Sequence, residues 1–370
     1  MSSPASGGAG LAVVKVGTSS VTTPTGELDD AALLKLCRDL VRARDAGHPL
    51  VLVLSGAIAA GLPALGLRDR PTDVRTLQAV AAVGQPRLLE RVSAILGAHG
   101  VVAGQVLLTP YDFGHRRQYL HARDTIGRLL ELGVLPIVNE NDTVADDEIR
   151  YGDNDRLAAL VAHMLGAATL VLLTDTAGLF TADPRVDAGA SLIEEIVEVD
   201  TALEEVAGGA GTERGSGGMA SKLAAAKIAA WSGVRAVIAA AVAPDVVAAA
   251  AAGQPVGTAF PPRPHRLPSR KLWIAFAQGA AGRVVVDAGA REALVAGGRS
   301  LLPAGVRGVD GDFEADAAVE VVDESGAAFA KGLTRYPATT LREVQGRRTA
   351  DLPEALPHEV IHRDDLVVLP

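Results

Sequence analysis

The stretch VLPIVNENDTVADDEIRYGDNDRLAALVAHMLGAATLVLLTD, residues 134–175, decides the fold. It opens on a short apolar run that ends in polar residues. A polar loop follows, then NDRLAALVAHMLG (154–166), whose apolar residues recur at helical spacing. It closes on ATLVLLTD (168–175), a second apolar run of strand length. Strand, helix and strand in this order describe a crossover between parallel strands. Runs this evenly apolar belong to strands covered on both faces.

The alternation continues outward in both directions. GLAVVKV (10–16), PLVLVLSG (49–56), VVAGQVLLT (101–109) and RAVIAAA (235–241) read as strands. DDAALLKLCRDLVRARDAG (29–47), the segment from Ala57, ARDTIGRLLELG (122–133) and MASKLAAAKIAAWSG (219–233) read as helices. The expected fold class is α/β, an open and mostly parallel sheet sandwiched by helices. The most apolar segment, AVIAAAVAPDVVAAAAAG (236–253), is broken by Pro244 and Asp245. It reads as strand, turn and helix, with Pro244 near the first turn and Gly253 at the end. It is not a membrane span.

The pattern changes at FPPRPHRLPSRKLW (260–273), a proline- and arginine-rich linker. Beyond it GRVVVDAGA, AVEVVDESG and AFAKGLTRY are short and alternating. The expected organisation is a tail over 1–10, a large domain over 11–260, a linker over 261–271, a small β-rich domain over 272–357, and a C-terminal segment over 358–370. The opening MSSPASGGAG has neither a basic nor an apolar region and reads as a frayed tail, not a signal peptide.

A net charge of −9 disfavours whole-chain affinity for nucleic acid or anionic membranes. Aromatic residues make up 3%, too few for base-stacking surfaces. The lone cysteine, Cys37, lies in an apolar-periodic helix, which points to a core position in a reducing, cytoplasmic setting. The scattered histidines form no metal-ligand pattern.

In parallel α/β folds chemistry gathers at the carboxyl ends of the strands, and the polar clusters of this chain fall there. Lys15 ends a buried strand and precedes Gly17; a buried lysine must meet an anion or lose its charge. Ser55, Gly56 and Ala57 lie at a strand-to-helix junction, where backbone N–H groups face an anion. Asn139, Asn141, Asp142, Asp153, Asn154 and Asp155 crowd one loop, a set suited to an ammonium group and to placing lysines, although a solvated acidic loop has the same composition. Thr174 and Asp175 follow a strand and suit a nucleotide ledge. In GSGGMASK (215–222) a glycine loop enters a helix at Lys222. It has neither the preceding strand of a dinucleotide fingerprint nor the residue order of a Walker loop. Phosphate contact through N–H groups and Lys222 remains.

Together these segments resemble the glutamate 5-kinases of the amino acid kinase family. The likeness runs in order through VVKVGTSS, SGAIAAG, AAVGQPRL, ARDTI, PIVNENDTV, GDNDRLAALVA, LLTDTAGLFTADPR, GSGGMASK and GGRSLLPAGV, the last being typical of a PUA domain. The resemblance implies ATP-dependent phosphorylation of the side-chain carboxylate of L-glutamate, the first step of proline biosynthesis. By position, Lys15 and Lys222 would stabilise the transferring phosphoryl group and Asp155 would hold them. Ser55, Gly56, Ala57, Asn139, Asp142, Asp153 and Asn154 would bind glutamate. Lys15, Gly17, Thr174, Asp175, Ser216, Gly217, Gly218, Met219, Ala220, Ser221 and Lys222 would line the ATP site. Mg²⁺, held by phosphate oxygens and water, needs no protein ligand of its own. Proline as feedback inhibitor and a homo-oligomer, tetramer or dimer, are implied as well.

The sequence departs from the family pattern at Leu54, Phe180 and Ser216, and FEADAAVEV lacks the glycine usual after its phenylalanine, so a different turn is expected there. The rival readings are another family member, such as an N-acetylglutamate or aspartate kinase, and an RNA-binding regulatory protein acting through the PUA domain. The C-terminal portion from His265 carries more acidic than basic residues, which disfavours RNA.

Overall fold

The computed structural model describes residues 9–23, 25–144, 154–182, 184, 186–187, 189–197, 218–264, 267–277, 279–353 and 355–369. Residues 1–8 of the expected tail, and Asp153, Ser216 and Gly217 among the candidate site residues, lie outside them. The chain divides into two compact units, Met1–Arg266 and Leu267–Pro370.

Among the described residues the first unit carries a seven-stranded sheet: β1 (Ala12–Val16), β2 (Leu50–Leu54), β3 (Ala103–Leu108), β4 (Leu135–Glu140), β5 (Thr169–Thr174), β6 (Arg235–Ala240) and β7 (Thr258–Phe260). The spatial order is β3-β4-β2-β1-β5-β6-β7, parallel except for β7, which is antiparallel to β6. Every residue of β1, β2, β4 and β5 is buried. This is why their sequences are uninterrupted apolar runs until the carboxyl end.

β1 is central, with Lys15 opposite Val53 of β2 and Leu172 of β5. The chain leaves β1 toward β2 on one side and leaves β5 toward β6 on the other. The gap between the carboxyl ends of β1 and β5 is therefore a topological switch point, where open α/β sheets bind ligands.

Among its described residues the first unit has the helices α1 (Asp30–Asp45), α2 (Ala57–Gly61), α3 (Val74–Gly97), α4 (Pro110–Gly114), α5 (Arg116–Glu131), α6 (Asn154–Leu165), α7 (Met219–Trp231) and α8 (Val246–Ala251). Asp29 caps α1 by accepting from Ala31 N at 2.9 Å and Ala32 N at 3.1 Å. Cys37 is buried on the inner face of α1, where burial pushes its thiol up to about 12. Pro244 immediately precedes Asp245, the N-cap of α8, and so stands next to its first turn.

The long helix α3 was not anticipated. Gly84 and Pro86 interrupt its sequence, and both are poor interior helix residues. Gly84 is there for packing: a Cβ at that position would lie 1.7 Å from the Ala57 carbonyl oxygen. α2 and α3 thus touch backbone to backbone, which fixes the turn carrying Ser55, Gly56 and Ala57. Gly56 itself has φ +117°, a conformation that side chains resist.

The second unit holds a five-stranded sheet, order β12-β11-β10-β8-β9. Its strands are β8 (Gly282–Val286), β9 (Val306–Gly311), β10 (Ala318–Val322), β11 (Ala328–Leu333) and β12 (Leu366–Val368). Val284, Val286, Phe313, Val319, Val321 and Tyr336 are in its core. The last strand falls in the segment set apart on sequence as 358–370; it pairs with β11 and completes the sheet. Likewise Ser269–Leu272, at the end of the proline-rich stretch, forms a helical turn. The turn after Phe313 is made with Asp316 at φ +66°, its N–H donating to Thr334 O at 2.6 Å.

Candidate active site

Four strand ends and two helix starts bring the polar clusters together. Lys15, from β1, and Lys222, from the first turns of α7, both reach the Asp155 carboxylate at the start of α6. Lys15 Nζ is 2.5 Å from Asp155 Oδ1, and Lys222 Nζ is 3.2 Å from Oδ2. The Ser221 hydroxyl donates to Oδ2 at 2.6 Å. Asp155 is fully buried, and the two lysines are 3% and 6% exposed. Burial pushes the Asp155 carboxyl up, but the two ammonium groups and the hydrogen bonds from Lys15 and Ser221 outweigh it, holding the carboxyl below its ordinary range. Among the described residues, two cationic side chains share this one carboxylate at the switch point. Gly17 follows closely; a Cβ there would stand 3.5 Å from Lys15 Nζ.

A second cluster begins one residue earlier. Asn154 Nδ2 donates to Ser55 Oγ at 2.8 Å and to Asn139 Oδ1 at 2.9 Å. Asn139 Nδ2 in turn donates to Gln85 Oε1 at 2.6 Å. Ser55, Asn139 and Asn154 are all buried. Asn154 Oδ1 is buried with no hydrogen-bond partner among the described residues, and such an atom costs stability unless something supplies a donor. Because Asn154 and Asp155 are consecutive at the start of α6, the two clusters adjoin. One offers cations and the other amide and hydroxyl groups.

Asp142, beyond β4, stands apart from these contacts. Burial pushes its carboxyl up to about 6, against the opposing pull of Arg70. At the end of β5, Thr174 Oγ1 donates to Asp175 Oδ1 at 3.0 Å, with Thr174 buried and Asp175 exposed. Gly218, Met219, Ala220 and Ser221 lead into and begin α7. Gln85 lies within AAVGQPRL but is one of several polar residues of α3, and only its approach to Asn139 marks it. Ser221 had been placed with the nucleotide loop; here its hydroxyl serves Asp155.

Residues 10–240 match the model of the amino acid kinase family, and residues 282–356 match the PUA domain. The glutamate 5-kinase of Myxococcus xanthus is 48% identical over 96% of this chain and 96% of its own. The glutamate 5-kinase of Moorella thermoacetica is 45% identical over the same shares. The chain belongs to the amino acid kinase family, among its glutamate 5-kinases. Membership of a kinase family carries ATP use with it, and the PUA match identifies the second unit's β-rich sheet. Among solved structures, the UMP kinase of Bacillus anthracis aligns with TM-score 0.47 at 13% identity, covering 68% of this chain and 95% of that one. Among the described residues no helix is long and apolar enough to cross a membrane.

Proposed function

We propose that this amino acid kinase transfers the γ-phosphoryl group of ATP to the side-chain carboxylate of L-glutamate, giving L-glutamyl 5-phosphate and opening proline biosynthesis. One observation carries the reading: Lys15 and Lys222 converge on a single buried carboxylate at the switch point. The relatives favour it over N-acetylglutamate or aspartate phosphorylation and over an RNA-binding role.

The chemistry needs no general base. The acceptor's pKa is about 4.3, so at neutral pH it is already an anion. One of its oxygens forms the new O–P bond, the bond from phosphorus to the β–γ bridging oxygen breaks, and ADP leaves with that electron pair. The obstacle is repulsion between carboxylate and triphosphate. Lys15 and Lys222 offset it, most strongly as charge spreads over the transferring group. Asp155 keeps both ammonium groups in place. Its two oxygens are engaged by Lys15, Lys222 and Ser221, so a divalent ion fits better on phosphate oxygens and water than on this carboxylate. Mg²⁺ held so would supply further positive charge to the phosphates.

In the same reading Ser55, Gly56, Ala57, Asn139, Asp142, Asp153 and Asn154 form the glutamate pocket. Gly17, Thr174, Asp175 and the loop 216–222 line the ATP site. Proline acts as feedback inhibitor, the chain works as a homo-oligomer in the cytoplasm, and the kinase and PUA domains divide along the linker 261–271. Family likeness supports these last assignments. The test is direct: protein, L-glutamate, ATP, Mg²⁺ and hydroxylamine should yield glutamyl hydroxamate. N-Acetylglutamate or aspartate as the preferred acceptor would overturn the reading.

A further inference from the structure

The amide cluster at the glutamate pocket has a fixed polarity. The Glu140 backbone N–H donates to Asn139 Oδ1 at 2.9 Å. A backbone N–H can only donate, so the atom facing it is the amide oxygen and the other end of Asn139 is the nitrogen. That nitrogen is satisfied by Gln85 Oε1 at 2.6 Å. The Asn154 atom 2.9 Å from Asn139 Oδ1 must then be a donor, Nδ2. Its second hydrogen goes to Ser55 Oγ at 2.8 Å.

Two consequences follow at the far end of the relay. Asn154 Oδ1 is turned away as a buried acceptor with no hydrogen-bond partner among the described residues. Ser55 Oγ, already accepting, keeps its own proton to donate. An acceptor and a donor, on residues already joined by a hydrogen bond, match the two charged groups of an α-amino acid: ammonium to Asn154 Oδ1 and α-carboxylate to the Ser55 hydroxyl.

We propose that Gln85 is a positioning residue which, with the Glu140 N–H, locks the Asn139 and Asn154 amides in the orientation that reads a zwitterionic head group. The assignment rests on the glutamate reading above and adds a residue to it. Gln85 touches no substrate; it acts through Asn139. Without an acceptor at position 85, the Asn139 nitrogen loses this partner, and the Glu140 N–H alone holds the amide, so the relay is held more loosely.

The test uses the full chain and compares Gln85→Met with Gln85→Glu, whose carboxylate accepts the same hydrogen. Steady-state kinetics are taken with glutamate and ATP varied separately, and glutamate binding is measured calorimetrically. Gln85→Met should raise the glutamate KM and Kd about tenfold, with the ATP KM within about twofold of the parent. Gln85→Glu should stay within about threefold for glutamate. Gln85→Ala serves where methionine disturbs packing. An unchanged glutamate KM in Gln85→Met, an equal rise in both KM values, or equal damage in Gln85→Glu overturns the relay alone. Failure of the parent protein to bind and phosphorylate glutamate overturns the functional reading and the head-group assignment with it.

Discussion

Lys15 and Lys222 take opposite oxygens of the Asp155 carboxylate, at 2.5 and 3.2 Å. One arrives from the central strand and the other from a helix on the far side of the switch point, so neither can substitute for the other. Each should contribute to the transition state separately. Lys15→Ala and Lys222→Ala should each lower kcat by about 10²–10³-fold, the usual effect of removing one preorganised charge-stabilising donor. Circular dichroism should show the parent fold in both. Near-normal turnover in either variant would remove that lysine from the mechanism.

The same triad orders the stabilities of its variants. Lys15→Met leaves Asp155 paired with Lys222. Asp155→Asn leaves two buried ammonium groups without their shared anion. Breaking a buried pair in this way costs roughly 3–5 kcal/mol, so Asp155→Asn should be the least stable of the set in urea unfolding. ATP supplies replacement anions, so its stabilising shift in melting temperature should be larger in Asp155→Asn than in the parent. The reverse order of stabilities would mean that Asp155 is not the counter-ion that keeps the lysines in place.

On the proposed glutamate reading, Asp142 would tie substrate capture to pH. Its carboxyl is raised from 3.8 to about 6 by burial, so the folded chain holds this proton more tightly than the unfolded one. The stability contributed by that proton is full below about 3.8 and is lost as pH rises through about 6. At neutral pH the ionised carboxylate therefore burdens the fold. Asp142→Asn should raise stability at pH 7.5 by roughly 1 kcal/mol, after discounting for partial exposure. If Asp142 joins Asn154 Oδ1 in holding the ammonium, as the proposed glutamate pocket has it, binding needs the ionised form. In the parent, kcat/KM for glutamate should fall as pH drops through about 6, and Asp142→Asn should have a low value that no longer follows this group. A stabilised variant with unimpaired glutamate affinity would detach Asp142 from the substrate.

Most of the large sheet was legible because buried parallel strands must be apolar on both faces, and β1, β2, β4 and β5 obey this until their last residues. The polar residues beyond those ends marked where chemistry could gather. Their partners were implied by the family resemblance alone: that Lys15 and Lys222 share Asp155, or that Asn154 meets Ser55 and Asn139, depends on strand order, which no local pattern encodes. Gln85 stayed hidden because its helix did. Gly84 and Pro86 oppose helix locally, and tertiary packing against α2 overrides them. In the smaller unit β9 and β12 were missed for another reason: VRGVDG has too many glycines, and LVV is too short, to hold an alternating pattern.

Gly84 offers a test of how far packing governs the pocket. A Cβ there would meet the Ala57 carbonyl oxygen at 1.7 Å and the Gly61 nitrogen at 2.6 Å, both backbone atoms that no rotamer can move aside. α2 and α3 would have to separate. Overpacking of this kind costs about 1–3 kcal/mol, which exceeds the helix-propensity gain of about 1 kcal/mol that alanine brings over glycine. Gly84→Ala should therefore be less stable than the parent despite the better helix former. Separation would also carry Ser55, Gly56 and Ala57 away from Asn154, and displace Gln85, the next residue, from Asn139. The glutamate KM should rise severalfold, while the ATP KM, set at the β5 and α7 side, should hardly change. A stabilised Gly84→Ala with parental kinetics would show that the close approach of α2 and α3 does not fix the Ser55 turn.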